Sequence, residues 1–151
     1  LPRPLPRLPK ATYWCDFDQN RSDFEKSLEF AQQIGCDSAF VAGATGGALD
    51  HALVNAALLE RCAALELTVL DRGVGRLLGP GRGQVDLKKG ERFSLIAAST
   101  GAVVTLAGAQ FPLKKFKLAP GSRGLGNAAR GRIELTIHAG RVWLVVPRLL
   151  A

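Results

Sequence analysis

AFVAGATGGALDH, residues 39–51, is the stretch on which the fold turns. Ala39–Ala42 is short and apolar, ends at Gly43, and reads as a buried strand; GATGGA at 43–48 reads as a loop. From Asp50 an Ala/Leu-rich run, with Leu49, Leu53, Ala56, Ala57 and Ala64, reads as a helix. A strand that passes through bare glycine backbone into a helix can aim N–H groups and the helix N-terminus at a phosphate. The loop lacks the Lys and Ser/Thr of a P-loop and does not supply G-x-G-x-x-G, so a tight connection is the plainer reading. Asp50 likewise has a plain reading, as an N-cap.

Working outward, LELTVLD at 65–71 reads as the next strand. Upstream, Ser22-Asp23-Phe24-Glu25 fits a capping box that starts a helix. Phe24, Leu28 and Ala31, with Phe30 and Ile34 beside them, give that helix an apolar face, and Gly35 offers a left-handed cap. The order helix, strand, helix, strand predicts a parallel-sheet α/β domain over residues 11–75. Beyond residue 72 the helical period disappears, and RLL, FSLIAA, VVTLAG and AQFPL read as short strands. RIELTIH and RVWLVV, joined by Ala139-Gly140, fit a hairpin with a two-residue loop. The expectation for 76–151 is a small antiparallel β-sandwich or partial barrel with Ile133, Leu135, Ile137, Val142, Leu144 and Val146 in its core.

The 151 residues are 47% hydrophobic and 22% charged, a globular composition. No apolar run approaches the roughly 18–20 residues of a membrane helix, which points to a cytoplasmic protein. Cys15, Cys36 and Cys62 lack metal-ligand spacing and read as buried thiols. Leu1 in place of methionine, and the absence of methionine throughout, suggest that the N-terminus lies upstream. Residues 1–10, LPRPLPRLPK, read as an extended Pro-rich lead-in. The net charge of +7 is uneven: residues 11–71 hold 10 acids and 3 bases, residues 72–151 hold 3 acids and 14 bases. A basic half either draws in a polyanion or is a solvated face. Basic residues without interleaved aromatics argue against a nucleic-acid platform, and His51, His138, Ser99 and Ser122 show no triad motif.

DFDQNRSDFE, residues 16–25, places four carboxylates in a basic chain. An EF-hand fails, because its sixth place holds Arg21 and its twelfth holds Ser27. A solvated turn leading into a capped helix explains Ser22 and Glu25 but leaves Asp18, Asn20 and Asp23. Oxygen ligands beside a glycine-rich helix start suit a magnesium-bound nucleotide.

Asp18-Gln19-Asn20-Arg21-Ser22-Asp23-Phe24-Glu25-Lys26 resembles the D-Q-D-x-T-D-F-E-K segment of thiamine pyrophosphokinases. Gly43 to His51, with Asn55, is similar to that family's G-A-x-G-G-R-x-D-H-x-x-x-N. Gly108-Ala109-Gln110-Phe111-Pro112-Leu113 and Gly121 to Asn127 are similar to its G-L-x-Y-P-L and G-x-S-N elements. The four fall in the family's order over residues 13–147. Asn20, Ser22, Ala48 and Gly126 depart from the pattern, and Ala48 removes a phosphate-binding Arg.

The resemblance implies an α/β domain, N-terminally incomplete, followed by a β-sandwich domain in a homodimer. It implies pyrophosphoryl transfer from ATP to thiamine with Mg²⁺ required, giving AMP and thiamine diphosphate. Asp18, Asp23 and Asp50 would be the catalytic and metal-facing acids. Gln19, Ser22, Lys26, Gly46, Gly47 and His51 would serve ATP, and Gly126 and Asn127 thiamine. A noncatalytic relative that binds a nucleotide or another anion is the alternative.

Overall fold

A computed structural model describes residues 14–62 and 65–147, so the Pro-rich lead-in and Ala64 lie outside the described residues. Helix α1 (Asp23–Gln33) starts where expected: the Ser22 hydroxyl accepts from the Glu25 N–H at 3.2 Å. The reciprocal half of the capping box is not made, because Glu25 turns its carboxylate to Arg61 at 3.6 Å. Gly35 follows the helix at φ 76°, a conformation that costs glycine little. Leu28 is buried and Phe24 and Ala31 pack beside it, whereas Ile34 is exposed.

Strand β1 (Ser38–Ala42) leads into α2 (Leu49–Arg61) and then β2 (Glu66–Leu70). β1 and β2 pair in parallel from Ser38↔Glu66 to Ala42↔Leu70, so 38–70 is a βαβ unit, as expected. Two details differ. β1 is a sheet edge among the described residues, with Val41 buried and Phe40 78% exposed, so it is not the fully buried strand its apolar run suggested. α2 buries Leu58 and Leu59, turning Leu49 and Leu53 outward; its Ala/Leu content marked the helix but not the face. Cys62 is buried as expected, but Cys15 and Cys36 are exposed.

The sheet continues without a break through β3 (Val74–Leu78), β4 (Gly81–Val85), β5 (Arg92–Ala109), β6 (Leu113–Leu118) and β7 (Asn127–Val146). Seven strands form one mixed sheet in the order β1-β2-β3-β7-β5-β6, with β4 also on β7. The expected boundary after residue 75 therefore falls inside β3, which pairs β2 on one side and β7 on the other. Two cores flank this sheet. One joins α1, α2 and β1–β3; the other is all β and includes Phe93, Leu95, Val104, Leu106 and the six core residues expected from 133–146.

The expected hairpin at Ala139-Gly140 does not form, and FSLIAA and VVTLAG merge into β5. Both halves of β7 pair with β5 instead of with each other. A tight two-residue turn of type I′ needs positive φ at both central residues, and Ala139 lacks it. Ile137 pairs with Val104 and Ala139 with Val103, so His138 is an extra residue in the ladder. That bulge resets the two-residue alternation, keeping Ile133, Leu135 and Ile137 in one core with Val142, Leu144 and Val146. AQFPL is likewise no strand: Gln110–Pro112 form the connection between β5 and β6.

Gly140 makes the bend possible. It sits at φ 76°, and a Cβ there would overlap the carbonyl oxygen of Gly101 on β5. Gly140→Ala should therefore lower the unfolding free energy by about 3 kcal/mol, measured by urea denaturation. A loss below about 0.5 kcal/mol would show that the two strands do not approach so closely.

Candidate functional site

Two of the four carboxylates of the acidic turn, Asp16 and Asp18, are gathered by a cation from their own segment. The Arg21 guanidinium pairs with Asp16 at 3.1 Å, with Asp18 at 2.8 Å, and with Glu29 of α1. Asp18 also accepts from the backbone and side-chain nitrogens of Asn20, at 2.9 and 3.0 Å. The backbone N–H of Asn20 and then Arg21 hold the Asp18 carboxyl below its ordinary pKa, while the bond to Asp18 raises that of Arg21. Lys26 is buried, and its Nζ donates to the Asp16 carbonyl at 3.0 Å, which ties α1 back to the turn. Gln19 donates to the Phe17 carbonyl at 3.2 Å.

The glycine loop stands at the carboxyl end of β1. Gly43 and Gly47 have φ of 76° and 99°, and the space beside Gly46 and Gly47 is open. Asn55 of α2 donates to the Ala44 carbonyl at 2.9 Å, and the Thr45 hydroxyl bonds to the Asp71 carboxylate just beyond β2. The loop is thus fixed at Ala44 and Thr45, while the space beside Gly46 and Gly47 is free. The N-cap of α2 is Ala48, with no side-chain cap, so Asp50 is not the cap. Asp50 lies in the first turn, where its Oδ1 accepts from the N–H of the exposed His51 at 2.8 Å.

The three carboxylates expected to hold a metal are not brought together. Among the described residues no three His, Cys, Asp or Glu side chains are placed to share an ion. The reasons are local: Asp18 is occupied by Asn20 and Arg21, the Asp23 side chain is fully exposed with Lys26 at 3.8 Å, and Asp50 bonds within its own helix. As they stand, these groups do not fit a preformed Mg²⁺ site.

A cavity of about 600 Å³ opens in the β half and is lined by Gln110, Phe111, Ser122, Arg123, Leu125 and Asn127, among others. Asn127 is buried and its amide makes three hydrogen bonds: Oδ1 accepts from the N–H groups of Phe111 and Ala128 at 3.1 and 2.9 Å, and Nδ2 donates to the Phe111 carbonyl at 2.9 Å. It shapes this cavity by clamping the 110–112 connection. Gly126 lies alongside at φ 65°, and its N–H donates to the Ser94 hydroxyl at 3.0 Å. Arg92 fills the room a side chain at 126 would need, with its guanidinium 2.8 Å from the Cβ position.

Sequence reasoning missed two residues at the first site, Asp71 and Trp143. The position of Asp71, immediately after the second parallel strand, was the available signal, since ligands in α/β sheets bind outside the carboxyl ends of strands. Trp143 lines a pocket beside the glycine loop together with Thr45 and Asp71, and only the register of β7 against β3 brings it there.

No protein-family model and no curated protein matches the sequence. Solved structures do match, and thiamine pyrophosphokinases are among them, so the chain shares their fold over the matched region. The chain is similar to thiamine pyrophosphokinase from Bacillus subtilis, with a TM-score of 0.75, 21% identity, and coverage of 88% of this chain and 66% of that one. It is similar to the enzyme from Geobacillus thermodenitrificans at TM-score 0.71 and 26% identity, over 85% and 62% of the two chains. The Candida albicans enzyme superposes over 72% of this chain at TM-score 0.54 and 15% identity. The chain thus spans about two thirds of the length of the two bacterial structures.

The role given to Arg21 can be measured directly. Because the folded-state value of Asp18 is lowered, the stability that it contributes is present above the ordinary carboxylate range and lost as pH falls through the lowered value. In Arg21→Gln the Asp18 titration, followed by carboxyl ¹³C NMR, should move up toward the ordinary value. An unmoved titration would mean that the guanidinium does not act on it.

Proposed function

We propose that this chain acts in the manner of a thiamine pyrophosphokinase, as a cytoplasmic homodimeric transferase that takes Mg·ATP and thiamine as substrates. In that reaction the hydroxyethyl oxygen of thiamine bonds to the β-phosphorus of ATP, the bond from that phosphorus to the α,β-bridging oxygen breaks, and AMP leaves. The thiamine hydroxyl gives up its proton. Gly43–Gly47 and the first N–H groups of α2 would face the phosphates, and the cavity shaped by Asn127 would receive thiamine. Such chemistry asks the protein mainly to position groups and balance charge.

The observation that carries the reading is a coincidence of place. The motif-bearing loop 43–51 lies in the crevice outside the carboxyl ends of two parallel strands, where this class of sheet binds ligands, and its glycines are open. A second reading has its own support: Arg21 already neutralises Asp16, Asp18 and Glu29, which favours a relative that binds nucleotide without turning it over.

An assay of AMP release from ATP separates the two. AMP formed only when thiamine is present, at one AMP per thiamine diphosphate, is the expected result. ATP binding without AMP formation would overturn the transferase reading and leave the binding one.

A further inference from the structure

We propose that strand β6 is a binding site for the phosphodiester backbone of single-stranded nucleic acid, held at the exposed Lys114, Lys115 and Lys117 without regard to base sequence. The site uses no residue of the glycine loop, so it stands apart from the nucleotide reading above.

The register of β6 explains how three lysines of one short strand all come to be exposed. Leu106 of β5 pairs with Leu113 and Val104 with Phe116, so Thr105 alone opposes both Lys114 and Lys115. Leu113 and Phe116 stand three residues apart, and strict alternation would send them to opposite faces. The bulge turns both toward the all-β core, beside the buried Leu118, and leaves an extra lysine outside it. Lys115 adopts φ 42°, a region that residues with a Cβ seldom enter. Its N–H donates to the Thr105 hydroxyl at 3.1 Å, and that hydroxyl lies 2.8 Å from Nε2 of His138, the extra residue of β7. Two bulges thus meet at one hydroxyl, which holds Lys115 in a conformation it would not keep alone. Backbone strain imposed by surrounding structure is concentrated at binding sites.

The charges on β6 are uncompensated. Residues 72–151 contain three acids: Asp86 pairs with Arg132 at 2.6 Å, Glu134 with Arg82 at 3.7 Å, and Glu91 accepts from the Lys88 N–H at 2.8 Å. Among the described residues no acid pairs with Lys114, Lys115 or Lys117. Arg123 adds a fourth cation at the strand, 5.1 Å over the Phe116 ring.

Beside the lysines, Val103 and Ala139 form one row of the sheet and Thr105 and Thr136 the next, so the neighbouring surface is of small side chains. This face presents no exposed large apolar side chain. A lipid surface would need such a group to insert, and an acidic protein would need an apolar centre to its interface. A phosphodiester chain needs only cations, each of which releases a counter-ion. The lysines span about 10 Å along one strand, which follows one nucleic-acid backbone. The lack of interleaved aromatics, which argues against a stacking platform, leaves backbone binding untouched and makes it indifferent to base.

The test titrates the full chain into a fluorescein-labelled oligothymidylate of about 16 nucleotides, followed by fluorescence anisotropy. The expected Kd is on the order of 10⁻⁵ M at physiological salt, and binding should be roughly fifteenfold weaker at 200 mM than at 50 mM salt, as for three phosphates neutralised on a single strand. Lys114→Gln, Lys115→Gln and Lys117→Gln combined should weaken binding at least about tenfold and remove most of the salt dependence, whereas arginine at all three positions should keep it within about twofold. Lys88→Gln with Lys89→Gln, which removes charge elsewhere in the same half, should also leave affinity within about twofold. Unchanged affinity in the β6 glutamine variant, or binding of phosphatidylserine vesicles and not of the oligonucleotide, overturns the proposal. So does a glutamine variant that self-associates yet binds as before, because lysines and bulges also guard an edge strand against pairing.

Discussion

Strand β7 is hydrogen-bonded along both edges: β4 and then β3 occupy one side, and β5 runs along the other. Glu134–Ile137 and Val142–Val145 are thereby paired on both sides, and alternate side chains along β7 enter the all-β core. Through β3 the same strand fixes the α/β unit, because β3 hydrogen-bonds β2, and β2 in turn sets the position of β1 and the loop beyond it. Trp143 reaches the helix-covered core from β7 and lines the pocket by the glycine loop. The candidate site is thus built on register between two halves of very different charge, and the bulge at His138 permits one strand to serve both.

Electrostatics divides the site into parts with separate tasks. In the acidic turn, repulsion among carboxylates is offset within the segment itself, by Arg21 at Asp16 and Asp18 and by Lys26, 3.8 Å from Asp23. The glycine loop carries no side-chain charge of its own, and Ala48 has replaced the Arg that the family resemblance would place there. What remains for a phosphate is backbone N–H and the start of α2. These donors cost little to present because Asn55 and Asp71 already hold the loop at Ala44 and Thr45.

Local chemistry made much of this legible. The Ser22 cap, Gly35, the βαβ order of 38–70 and all six core positions on β7 follow from propensity, capping and alternation, which act within a few residues. What was not legible depends on long-range pairing. Ile137 and Val142 fall on opposite phases of a two-residue alternation, and a hairpin turn and a bulge both explain that change; the choice was made by β5, some forty residues upstream. The outward face of Leu49 and Leu53 was hidden for a similar reason, since alanine and leucine surround α2. The acidic turn shows the limit for the site: spacing located the carboxylates, but Arg21 was read as a failed ligand position and not as the partner that Asp16 and Asp18 share.

The central claim is that nucleotide binds in the crevice outside the carboxyl ends of β1 and β2. Backbone amide chemical shifts of the labelled chain, recorded as ATP is added, test it most directly. The largest changes should fall on Gly43, Gly46, Gly47 and the first turn of α2, with smaller ones at Asp71 and Gly75. Changes confined to the basic strand β6, at Lys114, Lys115 and Lys117, would contradict it and mark the nucleotide as a counter-ion of the charged face.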